Sequence, residues 1–312
     1  MHYTTLGRTG FLVSRMGLGC GGHSRLGTRH PDGEENAVSI VREAIDLGIN
    51  FIDTAEGYGT EEVVGRGIAG YPREKLVIST KVGATWDDHV TTPSELRNRL
   101  DGCLKRLGTD YVDVFHLHGV RAEDYAHALS LVPTLQELKQ EGKIRAIGIT
   151  EAFIPEPSHA MLAPAMLDDC WDVVMVGFNL INQSARHMIF PNTRDKGIGT
   201  LCMFAVRRAL SQPEALRELI ASLIKDELVD ASEFNLDDPL GFLMHEGVAE
   251  SLQEAAYRFC LWEPGLDVVL SGTGNIEHLR ENVRALSGPP LPSEIVNRLN
   301  MLFARVDSVS GN

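Results

Sequence analysis

The chain reads as an α/β protein, a (β/α)8 TIM barrel with an N-terminal β-hairpin, on three observations. About eight short apolar runs recur along its 312 residues, separated by amphipathic helical stretches. Each run is largely unalternated, as expected of strands buried on both faces of a helix-covered parallel sheet. Eight strand–helix units in roughly this length is the arithmetic of a closed barrel. An open doubly wound sheet shows the same alternation, and periodicity alone does not separate the two. No proline-rich or low-complexity linker divides the chain, so residues 1–312 are expected to form one domain.

The hairpin is predicted over residues 3–13, with strands at 3–6 and 11–13 and a turn through 7–10. Run 16–20 is followed by a helix over 34–47, with Ala37, Ile40, Val41, Ala44 and Ile45 on one face. Run 49–53 leads through a glycine-rich loop to a helix over about 61–69, where Thr60 precedes two carboxylates in the first turn. Run 76–82 is followed by a helix over 93–107, and run 111–118 by a helix ending near Gly142. Run 144–150 precedes a proline-broken segment, 151–170, that shows no clear period. Runs 171–178, 199–204 and 266–271 complete the eight. The long interval 205–265 holds helical stretches near 214–228 and 250–261, and its acidic loop 230–238 is expected to reach over one end of the barrel.

Composition narrows the partners. A formal net charge of -14 argues against nucleic acid or an anionic membrane surface. An anionic cofactor stays possible, since it needs only local donors. The N-terminus lacks the apolar core of a signal peptide and no stretch approaches a membrane span, which points to a cytoplasmic protein. Five cysteines, odd in number and without a C-x-x-C pair, speak against disulfide and zinc frameworks. His23, His30 and His89 lack metal-ligand spacing, so no metal is expected. Oligomeric state leaves no mark in the sequence.

In a barrel of this kind chemistry sits at the carboxyl ends of the strands. Asp53, Lys81 and His118 end consecutive predicted strands, and Tyr58 lies on the loop just beyond Asp53. A phenol with a pKa near 10 is a weak acid at neutral pH. A neighbouring ammonium stabilises the phenolate and is expected to lower that pKa. Asp53 would hold the ammonium and His118 a substrate oxygen. Such a set suits protonating a carbonyl oxygen while hydride arrives at carbon, and the hydride would have to come from a nicotinamide cofactor. Each residue has a plainer reading. A strand-end Asp–Lys pair is commonly a structural ion pair, a loop tyrosine is commonly packed, and His116 shares a face with His118. Only the four together favour catalysis.

Two glycine-rich stretches need separating. Gly17 through Gly22 matches G-x-G-x-x-G, but a polar stretch rather than a helix follows, so it reads as a strand-end loop. Ser271-Gly-Thr-Gly-Asn275 precedes a predicted helix over 276–286, and free N–H groups there make a candidate anion site or an ordinary capped turn.

These motifs resemble the aldo-keto reductase family from about Tyr3 to Leu286. The family's pattern of Asp-Thr-Ala, then Tyr-Gly, stands here as Asp53-Thr54-Ala55 and Tyr58-Gly59, followed by Glu62 and Gly65. The lysine strand is Ile78-Ser79-Thr80-Lys81, and the histidine strand runs from Asp110-Tyr111 to His118. The closing pattern spans Gly272 to Leu279, Glu281 and Asn282. The resemblance implies a catalytic set of Asp53, Tyr58, Lys81 and His118, acting on a small-molecule carbonyl substrate with NADP or NAD. It implies cofactor contacts from Gly21, Gly22, Asp53, Gly272, Thr273, His278, Glu281 and Asn282. Where the family usually has Ser-Asn against the nicotinamide amide, this chain has Thr150-Glu151; where it has Gln, Met175 stands. The position of the stacking aromatic falls on Met203, with Phe204 next. The basic residues that grip a 2′-phosphate align with Gly272 and His278, which predicts a weak preference between NADPH and NADH. Two other functions fit the same residues: a cofactor-binding sensor with little turnover, and a Schiff-base lyase using Lys81.

Overall fold

Eight parallel strands close on themselves in the computed structural model, which describes residues 1–30, 33–86, 89–245 and 247–312. The hairpin strands are β1 (Tyr3–Thr5) and β2 (Leu12–Ser14), and the barrel opens with β3 (Met16–Gly19), β4 (Phe51–Asp53) and β5 (Val77–Gly83). A small antiparallel pair, β6 (Thr85–Trp86) and β7 (His89–Val90), follows at the barrel rim. Then come β8 (Val112–Val120), β9 (Ile144–Glu151), β10 (Val173–Gly177), β11 (Gly199–Met203) and β12 (Val268–Ser271). β12 pairs with β3 through Val269–Met16 and Ser271–Leu18, so the sheet is a barrel and not an open doubly wound sheet. Every predicted run is a strand, with ends displaced by no more than two residues.

The helices follow their sequence signals. Thr92 accepts from the Glu95 amide while Glu95 reaches back to the Thr92 amide, and Pro93 opens the helix Pro93–Leu107. That helix buries Leu96, Leu100, Cys103, Leu104 and Leu107, the stripe its spacing predicts. The helix expected to end near Gly142 is two pieces, Tyr125–Ser130 and Val132–Gln140, with Pro133 in the first turn of the second. The proline-broken segment holds only the short helix Leu162–Ala165. Among the described residues, no helix is long and apolar enough to cross a membrane.

Apolar side chains fill two layers. The outer layer lies between strands and helices, whereas the barrel interior is packed by Phe51, Val77, Val114, Ala146, Val173, Leu201 and Val268. Leu6, Phe11 and Val13 of the hairpin region join the interior cluster, so the hairpin plugs the amino-terminal end of the barrel. Polar chemistry is left to the other end. The acidic loop 230–238 does not line the cavity there. Phe234 packs on Phe303, with ring centroids 5.9 Å apart, and the Asp237 carbonyl accepts from Arg217. Its apolar anchor is the carboxyl-terminal helix Ser293–Leu302 and the turn after it. Residues 204–212 wall the cavity in its place.

Candidate active site

Two-residue periodicity aims the reactive side chains inward. Phe51, Val77 and Val114 belong to the interior cluster, so Asp53, then Ser79 and Lys81, then His116 and His118, continue on the same face of their strands. The Lys81 ammonium is fully buried and donates to Asp53 Oδ2 at 2.6 Å and to the Thr54 carbonyl at 2.7 Å. Ser79 Oγ donates to the other carboxylate oxygen at 2.8 Å. Burial works most strongly against the Lys81 charge, but Asp53, Tyr58 and Cys20 together outweigh it, and the lysine is held above its ordinary pKa. For Asp53, burial outweighs Lys81 and raises the carboxyl.

Tyr58 ends a 3₁₀ turn, Glu56–Tyr58, which Gly59 closes in the left-handed region at φ 69°. Its ring lies over the Lys81 ammonium, 5.0 Å from centroid to nitrogen, and edge-on to His118. The Tyr58 hydroxyl is 3.4 Å from His118 Nε2. Arg25 Nη1 donates to the Tyr58 carbonyl at 2.7 Å, and Gly21 packs beneath the ring so closely that a Cβ there would lie 2.5 Å from it. Burial raises the Tyr58 pKa and Lys81 works the other way without reversing it. The expected lowering by the ammonium is therefore present but smaller than desolvation. Burial, with the Lys81 and Arg99 cations, pushes the His118 pKa down to about 3, so the imidazole is neutral at physiological pH. His116 sits one layer deeper and is fully buried.

Tyr58 and Asp53 open onto a cavity of about 860 Å³, also lined by Gly21, Gly22, Met175, Met203, Phe204 and Gly272. A second cavity of about 770 Å³ continues from it across Val206, Ser211, Tyr257 and Gly272, and takes in Thr273, His278, Glu281, Asn282 and Arg284. The expected cofactor positions thus divide between two lobes of one cleft, with two exceptions. Thr150 and Glu151 are turned into the protein. Thr150 Oγ1 accepts from the Gly119 amide at 2.7 Å, at the irregularity where β8 leaves register with β9. Glu151 accepts from the Gly177 amide at 2.7 Å and lies 3.0 Å from His159 Nδ1. Each is already satisfied by backbone that only the barrel brings near.

The glycine-rich turn before the helix Ile276–Ala285 is also more occupied than a free anion site. Asn275 Oδ1 accepts from the amides of Glu277 and His278. Asn282 Nδ2 donates to Ser271 Oγ at 2.9 Å, tying that helix to β12. Arg280 is engaged by Glu43 and Glu277, which leaves Arg284 as the arginine of this helix that lines the cleft.

Several site residues escape sequence reasoning. Ser79 carries the period-two signal but is a common strand residue. Arg25, Arg207 and Asn312, which holds Arg207 at the cavity wall, carry no local signal.

Comparison with known proteins bears on the whole chain. It is 30% identical to L-galactose dehydrogenase of Arabidopsis thaliana over 292 residues, covering 90% of this chain and 87% of that protein. It is 26% identical to the NADH-specific methylglyoxal reductase of Escherichia coli strain K12, over 92% of this chain and 94% of that one. A solved aldo-keto reductase from Bacillus halodurans, in its holo form, superposes with a TM-score of 0.73 at 24% identity, covering 99% and 98% of the two chains, a likeness of fold. The family model described as the Aldo/keto reductase family matches residues 15–303, from the first barrel strand to beyond the last helix that borders the cleft. With nearly the full barrel matched, the chain belongs to the aldo/keto reductase family.

Proposed function

We propose that this protein is an NAD(P)H-dependent oxidoreductase that reduces a small aldehyde or ketone to an alcohol. One observation carries the reading: a tyrosine lining the cavity has its hydroxyl 3.4 Å from a neutral histidine nitrogen, with a fully buried ammonium behind the tyrosine ring. A carbonyl oxygen between them receives two hydrogen bonds, one from Tyr58 and one from His118. As negative charge develops on that oxygen, the Tyr58 proton transfers to it, and Lys81 stabilises the phenolate left behind. Asp53 keeps Lys81 charged and in place.

The cleft fits a dinucleotide. Its two lobes meet at Gly272, where a Cβ would lie 2.3 Å from the Gly19 carbonyl of the neighbouring strand, so only glycine fits there. Met175, Met203 and Phe204 would border a nicotinamide beside Tyr58, while Thr273, His278 and Arg284 would border the adenosine end. When bound, the reduced nicotinamide supplies the hydride to the carbonyl carbon. The name of the Escherichia coli relative supports the direction of reaction and admits NADH as donor.

Lys81 is poorly placed for Schiff-base chemistry. Its nitrogen is wholly buried, bonded to Asp53 and Thr54, and held charged, so it offers no free amine to a carbonyl. Initial rates of NADH and NADPH oxidation over a panel of short aldehydes and ketones test the reading. Tyr58→Phe should lose about 10²–10⁴ in turnover while cofactor affinity, measured by fluorescence titration, stays close to wild type. Full activity in Tyr58→Phe would overturn the mechanism. Tight cofactor binding without Tyr58-dependent turnover would favour a sensor.

A further inference from the structure

Residues 204–212 run along the junction of the two lobes, and Val206 and Ser211 line both. The second half of this segment is held by its own backbone, the Ser211 and Gln212 amides donating to the Arg208 carbonyl, whereas its start needs support from outside. Phe204 sits at φ 70°, left-handed backbone that a phenylalanine adopts only when its surroundings impose it. We propose that residues 309–312 are a clasp that imposes it, and that a buried polar chain beginning at Glu151 seats the clasp. The proposal rests on the dinucleotide reading for its consequence, though not for its geometry.

The clasp is made of four contacts. Asn179 Nδ2, wholly buried, donates both to the Phe204 carbonyl at 3.3 Å and to the Ser310 carbonyl at 3.2 Å. The Ala209 amide donates to the Gly311 carbonyl at 3.0 Å, and Arg207 Nη2 to Asn312 Oδ1 at 2.6 Å. Asn182 Nδ2 donates to the Val309 carbonyl at 2.9 Å. The cavity wall and residues 309–312 are therefore tied at three points along the wall, and a fourth bond fixes the approach.

Asn182 Oδ1 accepts from the Ser184 amide at 3.1 Å, Nδ2 also donates to the Pro157 carbonyl at 3.0 Å, and the chain behind adds a further bond. The Asn182 Oδ1 can only accept, so the Ser184 hydroxyl, 2.6 Å away, must donate to it. Ser184 Oγ then accepts from His159 Nε2–H at 3.0 Å. His159 Nδ1 lies 3.0 Å from both oxygens of the Glu151 carboxyl, which also accepts from the Gly177 amide. This gives Glu151 a purpose at a strand end that faces away from the cavity. Through His159 and the Ser184 hydroxyl it reinforces the seating of the Asn182 amide, whose nitrogen donates to Val309.

Loosening residues 309–312 therefore loosens the wall over the middle of the cleft and speeds release of a bound dinucleotide. The test compares wild type with Ser184→Ala, Asn312→Ala and a chain truncated after residue 308. Hydrogen exchange of the amides of 204–212 in the ligand-free protein is the first readout. Release of NADH or NADPH in a stopped-flow displacement experiment is the second. Truncation, which removes four of these hydrogen bonds, should raise both rates by about tenfold or more. Both point variants should move the same way by less. Unchanged exchange across 204–212 in a folded truncated protein would overturn the clasp. Should the truncated chain fail to fold, unchanged exchange in both point variants would overturn it equally. A wild type that binds neither dinucleotide would sink the cofactor reading instead, and the exchange comparison would still decide the clasp.

Discussion

Replacing Lys81 with methionine separates what the buried pair does for stability from what it does for chemistry. The side chains of Lys81 and Asp53 are 0% and 4% exposed, and their charged atoms are 2.6 Å apart. Removing the cation leaves Asp53 with Ser79 Oγ, at 2.8 Å, as its side-chain donor among the described residues. Breaking a buried pair on one side costs about 3–5 kcal/mol, because the remaining charge is desolvated and unpaired. At about 2 °C per kcal/mol for a chain of this size, the midpoint of thermal unfolding should fall by roughly 6–10 °C. Asp53→Asn in the same chain removes the stranded charge, so the double variant should regain most of the loss while staying inactive.

The pH dependence adds a second check. Without Lys81 the Ser79 hydrogen bond is left to oppose burial at Asp53, and its folded-state pKa rises further above the unfolded value. A raised folded pKa gives stability that is present at low pH and lost as pH climbs through that pKa. The deficit of Lys81→Met should therefore shrink on acidification from pH 8 towards the ordinary carboxylate range. Thermal unfolding followed by circular dichroism across that range measures it. A single variant within about 1 kcal/mol of wild type, or a double variant no more stable than the single, would refute the account of a charge stranded by burial.

Other expectations follow from the same geometry. Gly21→Ala places a methyl group 2.5 Å from the Tyr58 ring, so turnover should fall by about tenfold or more from a misplacement on the ångström scale, with a much smaller loss of stability. Because the His118 pKa is pushed down to about 3, the reduction rate should show no limb near pH 6.5, and the His118 ring signals in NMR should not titrate there. The raised Tyr58 pKa puts the loss of the proton donor, and the fall in rate, above pH 10. His118→Ala should impair turnover while His116→Ala acts mainly through packing; a reversal would mean that the wrong histidine has been assigned to the substrate. With Arg280 engaged elsewhere and Glu281 in the same lobe, NADPH and NADH should differ in affinity by about tenfold or less. His278→Arg should tighten NADPH alone in a fluorescence titration, and a thousandfold wild-type preference for NADPH would point to Arg284 as the missing cation.

Much of this protein is legible from local pattern. Strands buried on both faces must be apolar throughout, so eight such runs announce their number and order. Alternation along a strand then places Lys81 and His118 on the face that Val77 and Val114 bury, without reference to any distant residue. The capping box at Thr92 and the glycine at 59 mark their own helix and turn. Closure is another matter. The pairing of β12 with β3 joins residues about 250 apart, and an open sheet would use the same strands. The inward turn of Thr150 and Glu151 depends on amides of Gly119 and Gly177 supplied by neighbouring strands. Arg207 meets Asn312 across 105 residues of sequence, and no period connects them. The sign of the Tyr58 shift was likewise settled by packing, since an adjacent ammonium and a dry environment pull in opposite directions and only the folded burial sets their balance. Periodicity records which face of an element is buried; what that face is buried against is decided by contacts between elements far apart in the chain.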